Sequence, residues 1–231
     1  MPDPSDTRPA APTVPPPEPY PLTFSVDYPE GPLNRLTSFF RWIWIIPIGI
    51  VAALVSSGEF SFGSPNAAAE TAERAGFYFS AGGMAILFLP VLLMLVFRGK
   101  YPRWWFDWNL NVTRFLNRVG VYALLLRDEY PSTDDEQAVH LDFAYPDAQR
   151  LDRILPIFKW FLAIPHYFVL FFLWIGALVC TVIAWFAILF TARYPRALFD
   201  YVVGVIRWSL RVEAYAFLLV TDMYPPFSLS E

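Results

Sequence analysis

An almost unbroken apolar run of 38 residues, Ile154 to Thr191, constrains this chain more than any other feature. A helix of about 20 residues already crosses the hydrocarbon core of a bilayer, so the run is too long for one upright span. Two spans joined by a tight turn near Gly176 fit its length. With the apolar runs of the first half, the sequence predicts four spans, over residues 36–56, 77–97, 155–174 and 176–192.

Composition agrees with a membrane location. Apolar residues make up 56% of the chain and charged residues 16%, whereas soluble domains carry about 25% charged residues. Aromatic residues make up 19%, which is typical of a chain with much surface at the lipid–water interface. The net charge of -4 argues against a nucleic-acid partner and leaves membrane lipids as the expected surroundings.

Two further segments are periodic in a different way. Residues 102–127 and 195–220 place apolar side chains at steps of three and four, which predicts two amphipathic helices at the membrane interface. Residues 22–28 and 140–145 alternate apolar and polar side chains and are expected to form short strands.

The two halves of the chain align with each other. Arg41 aligns with Lys159, and Ile46-Pro47 with Ile164-Pro165, at an offset of 118 residues. After the longer first loop the matched pairs are Tyr101-Pro102-Arg103 with Tyr194-Pro195-Arg196, Arg114 with Arg207, Arg118 with Arg211, Tyr122 with Tyr215, and Asp128 with Asp222. Because apolar composition alone does not produce matched charged residues in the same order, we expect a tandem duplication, with copies at 22–137 and 138–231.

The predicted fold is therefore an all-α integral membrane protein of two tandem repeats. Each repeat comprises a short strand, a transmembrane helical hairpin and an amphipathic interfacial helix. Basic residues flank the expected open ends of both hairpins, so the positive-inside rule predicts a multi-pass protein of the cytoplasmic membrane with both termini in the cytoplasm. In the alternative topology the amphipathic helices also span and the second copy is inverted, which would bring their arginines to membrane depth.

Several motifs of the second copy resemble those of one bacterial membrane family. They are Ile164-Pro165-His166, then Tyr194-Pro195-Arg196, the run from Arg207 to Tyr215, and the run from Thr221 to Phe227. Together they look like the family catalogued as domain of unknown function 4389, over residues 22–228. The first copy departs from the pattern, with Ile48 where the second has His166. The resemblance implies a membrane location and a helical fold, and it carries no activity.

The first 21 residues contain nine prolines and are expected to be disordered or polyproline II. A solvated tail is the simpler interpretation. A docking ligand for a proline-binding module is the alternative.

The most specific candidate site is a polar stripe that occurs on both amphipathic helices. Its spacing places the members on one helix face, and arginine offers paired hydrogen bonds to phosphate. One interpretation is binding of lipid head groups or a partner. The other is a structural role, with arginine stems along the interface and Asp partners. The candidates are Asp107, Arg114, Arg118, Asp200, Arg207 and Arg211.

His166 lies near the expected cytoplasmic end of a span, where a helix-end hydrogen bond is simpler than a ligand or proton-carrier role. The acidic residues from Asp128 to Glu136 suit a solvated connector better than a cation-binding loop. The sequence contains no phosphate-binding glycine loop, nucleophile elbow, paired-His motif or cysteine pair. We therefore expect no metal, no cofactor and no catalytic residue.

These features favour a non-enzymatic accessory or scaffolding protein that engages lipid head groups, a membrane-protein partner or further copies of itself. A small transporter or channel built from the repeats is the first alternative. A lipid-modifying enzyme using Asp107 or Asp200 is the second.

Overall fold

The computed structural model describes residues 20–57, 91–133, 135–149 and 151–230. It is mostly helical and contains one small sheet. The strands are β1 (Leu22–Val26) and β2 (Val139–Phe143). The helices are α1 (Arg35–Ser57), α2 (Arg103–Ala123), α3 (Leu155–Leu162), α4 (Ile164–Thr191) and α5 (Arg196–Ala216), with a π-helical turn at Met94–Arg98. Residues 1–19 of the proline-rich tail, and most of the span expected at 77–97, lie outside the described residues.

The two strands form an antiparallel ladder with Phe24 opposite Leu141 at its centre. Alternate side chains are buried, as a half-buried strand requires: Leu22, Phe24 and Val26 on β1, and Val139, Leu141 and Phe143 on β2. Both strands were expected from the alternation. Their pairing with each other, across more than a hundred residues, was not.

Each strand packs on a helix from the other half of the chain. β1 lies against α5, and β2 lies against α2. Beneath them, α1 packs on α2 and α4 packs on α5, while α1 and α4 also touch. The described part of the molecule is therefore layered, with the sheet on top, α2 and α5 in the middle, and α1 with α3 and α4 on the outside.

The turn expected near Gly176 is wrong, because α4 continues without interruption from Ile164 to Thr191. At a rise of about 1.5 Å per residue, such a helix is roughly 42 Å long. Gly176 has a packing role instead, since a Cβ atom there would lie 2.5 Å from the Tyr201 hydroxyl. That hydroxyl donates a hydrogen bond to the Leu173 carbonyl at 3.1 Å. The glycine thus lets α5 approach α4 closely, and one glycine is too weak a helix breaker to force a turn.

The break in this apolar stretch occurs earlier, between α3 and α4. Pro165 lies in the first turn of α4, where its missing N–H costs no helical hydrogen bond. In α1 the corresponding Pro47 lies inside a continuous helix.

The outward surface of the helix layer is apolar. Two helical stretches, Arg35–Val55 and Leu155–Thr191, are long and apolar enough to cross a membrane. A monomeric soluble protein rarely exposes apolar patches beyond a few hundred Å². Exposed side chains on these helices include Leu36, Phe39, Trp42, Ile43, Ile46, Ile50, Phe168, Phe171, Phe172, Ile175, Leu178, Val182 and Phe186.

Candidate functional site

A buried guanidinium ties α1 to the end of α2. Arg41 is 2% exposed, and its Nη1 donates to the carbonyls of Tyr122 at 3.0 Å and Arg127 at 2.6 Å. Its Nη2 pairs with the Asp128 carboxylate. The guanidinium also lies 4.4 Å from the centre of the Tyr122 ring. The positive charge is therefore enclosed by a carboxylate, two carbonyls and an aromatic face.

A buried ammonium makes the matching contacts in the second half. Lys159 is fully buried, and its Nζ donates to the Thr221 carbonyl at 2.8 Å and lies 2.6 Å from an Asp222 carboxylate oxygen. The ammonium also lies 5.2 Å from the centre of the Tyr215 ring. Asp222 in turn accepts the backbone N–H of Asp152 at 2.7 Å.

These twin cation sites correspond residue by residue. The cations, the tyrosines and the aspartates are pairs that the sequence alignment had already matched, and the bound carbonyls of Arg127 and Thr221 each belong to the residue directly before the aspartate. Buried charges need such partners. The sites fasten each outer helix to the chain that follows each middle helix. Sequence reasoning missed them, although the matched cation, tyrosine and aspartate were a sufficient signal.

The helix α3 is held at its start by a carboxylate. Asp152 accepts the backbone N–H groups of Ile154 at 2.8 Å and Leu155 at 3.3 Å. These two hydrogen bonds lower the pKa of the Asp152 carboxyl, because they favour its charged form.

Two of the predicted site arginines bond to the centre of the ladder. Arg114 Nε donates to the Leu141 carbonyl at 2.8 Å, and Arg207 Nε donates to the Phe24 carbonyl at 3.0 Å. Each arginine therefore holds the strand that comes from the other half of the chain. This use of the side chain is structural, whatever else its remaining donors bind.

The other two arginines hold the segments that follow the middle helices. Arg118 Nη1 donates to the Ser132 carbonyl at 2.9 Å. Arg211 is 3% exposed and donates to the carbonyls of Ser228 at 3.2 Å and Ser230 at 2.8 Å.

The predicted aspartates are not brought to these arginines. Asp200 is exposed and pairs with Arg196 at 3.2 Å, one helical turn earlier. Asp107 is exposed on the surface of α2. Binding of lipid or a partner by the six residues stays a prediction.

An open polar cleft lies beside the Arg114 stripe. Its volume is about 710 Å³, within the range of ligand-binding clefts. Asn111, Arg114 and Arg118 form one wall. His140 and Asp142 of β2 and Glu136 and Gln137 of the connector complete it, so both signs of charge are present.

His166 lies in a small aromatic cage. Its ring is fully buried, stacks on Phe227 with centroids 4.0 Å apart, and accepts a hydrogen bond at Nδ1 from the Trp208 indole at 3.1 Å. The cage ties the start of α4 to α5 and to the chain after it. The hydrogen bond comes from a neighbouring helix and not from the end of α4 itself, so both interpretations of His166 stay predictions.

A half-buried carboxyl lines a cavity between α2 and α5. Glu213 shares this cavity of about 240 Å³ with Asn117, Trp174 and Ser209. Desolvation raises the pKa of Glu213 from 4.5 to about 7. The carboxyl is therefore close to half-protonated at neutral pH. Sequence reasoning missed it, because Gly120 occupies the aligned position.

Comparison with known families tests the resemblance found in the sequence. Residues 156–228 match the family model described as a domain of unknown function, DUF4389. This segment, about a third of the chain, is similar to that family. It contains Lys159, His166, Arg207, Arg211 and Asp222, so the second cation site and the second arginine stripe lie inside the matched segment. Comparisons with curated proteins and with solved structures find no match.

Proposed function

We propose that this chain is a non-enzymatic integral membrane protein that acts as an accessory or scaffolding unit, engaging lipid head groups or a membrane partner through its polar layer. One observation carries the proposal. The outer helices present an apolar, aromatic surface, while the opposite side of the molecule presents an open cleft lined by arginine and polar side chains. One face thus suits hydrocarbon, and the other suits recognition in water.

We further propose that the chain is a tandem duplication. The equivalent cation sites, the exchanged strands and the paired arginine contacts support this. The matching offsets of about 118 and 93 residues are the ones found in the sequence.

The orientation we propose differs from the upright hairpins expected from the sequence. Arg35 donates to the Phe190 carbonyl at 3.2 Å, so it lies with Arg193 at one end of α4. Arg153 lies beside Gly99, at the far end of α3. Because both ends of the helix layer are basic, the positive-inside rule favours placing both on the cytoplasmic side. An upright arrangement would also press the charged side of the molecule into hydrocarbon.

The outer helices therefore lie in the cytoplasmic membrane with both ends, and the polar layer, at the cytoplasmic interface. Single cysteines test this in a Cys180→Ser background, at the exposed positions Arg153→Cys and Arg193→Cys. Both cysteines should react with a membrane-impermeant maleimide in inverted vesicles. Neither should react when the reagent is added to the outside of intact spheroplasts. Labelling of one position from each side would show that α3 and α4 cross the membrane, and would overturn this orientation.

Function is tested by gentle extraction of the tagged full-length chain from its own membrane, followed by mass spectrometry of everything that remains bound. A stoichiometric membrane protein or a retained class of anionic lipid is the expected result. Recovery of neither, together with solute flux in liposomes reconstituted with the purified chain, would replace this proposal with the transporter alternative.

A further inference from the structure

The second half of the chain shows what kind of group can bind beside the arginine stripe of α5. In the second half, residues 228–230 run across α5 with a bend at Leu229. Arg207 Nη1 donates to the Leu229 carbonyl at 3.1 Å, next to the two carbonyls bound by Arg211. Gly204 makes room, since a Cβ atom there would lie 2.9 Å from the Leu229 Cβ. Backbone carbonyls and one Leu side chain therefore fill this surface.

Within the described part of the chain, no segment covers the aligned surface of the first half. Asn111, Arg114 and Arg118 align with Gly204, Arg207 and Arg211, and they line the 710 Å³ cleft. Arg118 binds the Ser132 carbonyl much as Arg211 binds that of Ser228. Beyond that point the two segments differ. The connector leads away to β2 instead of continuing along α2, and this leaves the cleft.

We propose that this cleft binds a short peptide segment of a partner protein, whose backbone carbonyls accept from the Arg114 and Arg118 guanidiniums as those of residues 228–230 do on α5. This inference rests on the proposed accessory function and gives the partner its chemistry. Asn111 stands where the second half has Gly204, so its side chain keeps the bound segment farther from the helix axis than residues 228–230 lie on α5.

The charges of the cleft favour a peptide over a lipid phosphate. Glu136 and Asp142 face the same space as the arginines, and Arg114 Nη2 already lies 3.3 Å from Asp142. A phosphate would meet these carboxylates as like charges, whereas a peptide backbone presents both donors and acceptors.

The test uses the full-length chain in micelles and a fluorescent peptide with the sequence of residues 227–230, Phe-Ser-Leu-Ser. Binding is followed by polarisation. Arg118→Gln should weaken binding about tenfold, because it removes charge-assisted bonds. Asn111→Gly should tighten binding, because it restores the space that Gly204 provides. Arg193→Gln removes the same positive charge at an exposed position, and it should leave the affinity unaltered.

Three results would overturn the inference. They are equal binding by the Arg118→Gln and Arg193→Gln variants, weaker binding by Asn111→Gly, or displacement of the peptide by phosphatidylglycerol micelles but not by excess unlabelled peptide. The last result would assign the cleft to lipid. The assay reads the cleft alone, whereas the proposed function is judged by what copurifies from membranes, so the two failures are distinguishable.

Discussion

Removing one cation from the twin sites should measure how strongly an outer helix is fastened. Lys159→Met keeps the aliphatic stem and deletes the ammonium. The Thr221 carbonyl then loses its donor, at about 1–3 kcal/mol, and Asp222 loses its counter-ion. Breaking a buried ion pair usually costs about 3–5 kcal/mol. Because the Asp222 side chain is 26% exposed, water replaces part of the lost interaction, and we expect a loss of about 3 kcal/mol.

The assay is a double-mutant cycle on unfolding in mixed micelles, followed by tryptophan fluorescence. Asp222→Asn alone should cost about 2 kcal/mol, because it leaves the buried ammonium without a counter-ion. The double variant should cost about 3 kcal/mol rather than about 5, a coupling of about 2 kcal/mol. Lys159→Arg should be tolerated, since Arg41 occupies the equivalent place. Additive effects, with coupling below about 0.5 kcal/mol, would refute the ion pair as the fastening element.

Three further variants probe other contacts. Glu213→Gln should stabilise the fold above pH 7 by up to about 3 kcal/mol and have little effect below pH 4.5. The reason is that the folded-state pKa of Glu213 is raised from 4.5 to about 7, so the native protein loses stability as pH rises between these two values. Unfolding at pH 4 and pH 8 measures this, and an equal effect at both would contradict it. Gly176→Ala should destabilise the fold by about 1–3 kcal/mol, because the added Cβ would clash with the Tyr201 hydroxyl. Gly120→Ala, with nothing within 4 Å of its added Cβ, should be neutral or mildly stabilising. Thermal unfolding compares the two variants, and equal losses would argue against the close contact. Arg114→Met should speed amide hydrogen exchange in β2 more than Arg193→Met does, because only Arg114 holds the Leu141 carbonyl, and equal exchange would remove its structural role.

Local patterns in the sequence were enough to predict most elements. Periodicity of three and four predicted α2 and α5 to within a few residues of their ends, and alternation predicted both strands. The alignment of the halves paired Arg41 with Lys159 before any contact was known. These patterns can be recognised in the sequence without knowledge of the fold.

Contacts between segments that are distant in the sequence could not be predicted from these patterns. An apolar run has the same composition as one long helix or as a hairpin, and only the Tyr201 contact explains why Gly176 lies inside α4. The arginine stripe shows which residues share a helix face. It does not show that Arg114 and Arg207 reach strands from opposite halves.

The exchange of strands has a consequence for synthesis. β1 is synthesised well before the helix it packs on, which begins only at Arg196, and the Arg207 bond to Phe24 closes a loop of 183 residues. Contacts this distant form slowly. The apolar face of β1 therefore stays uncovered until α5 is made, although β2 can pair with its edge before that. A truncation after the first half would leave β1 without its helix, and two such fragments would have to interlock to complete each other.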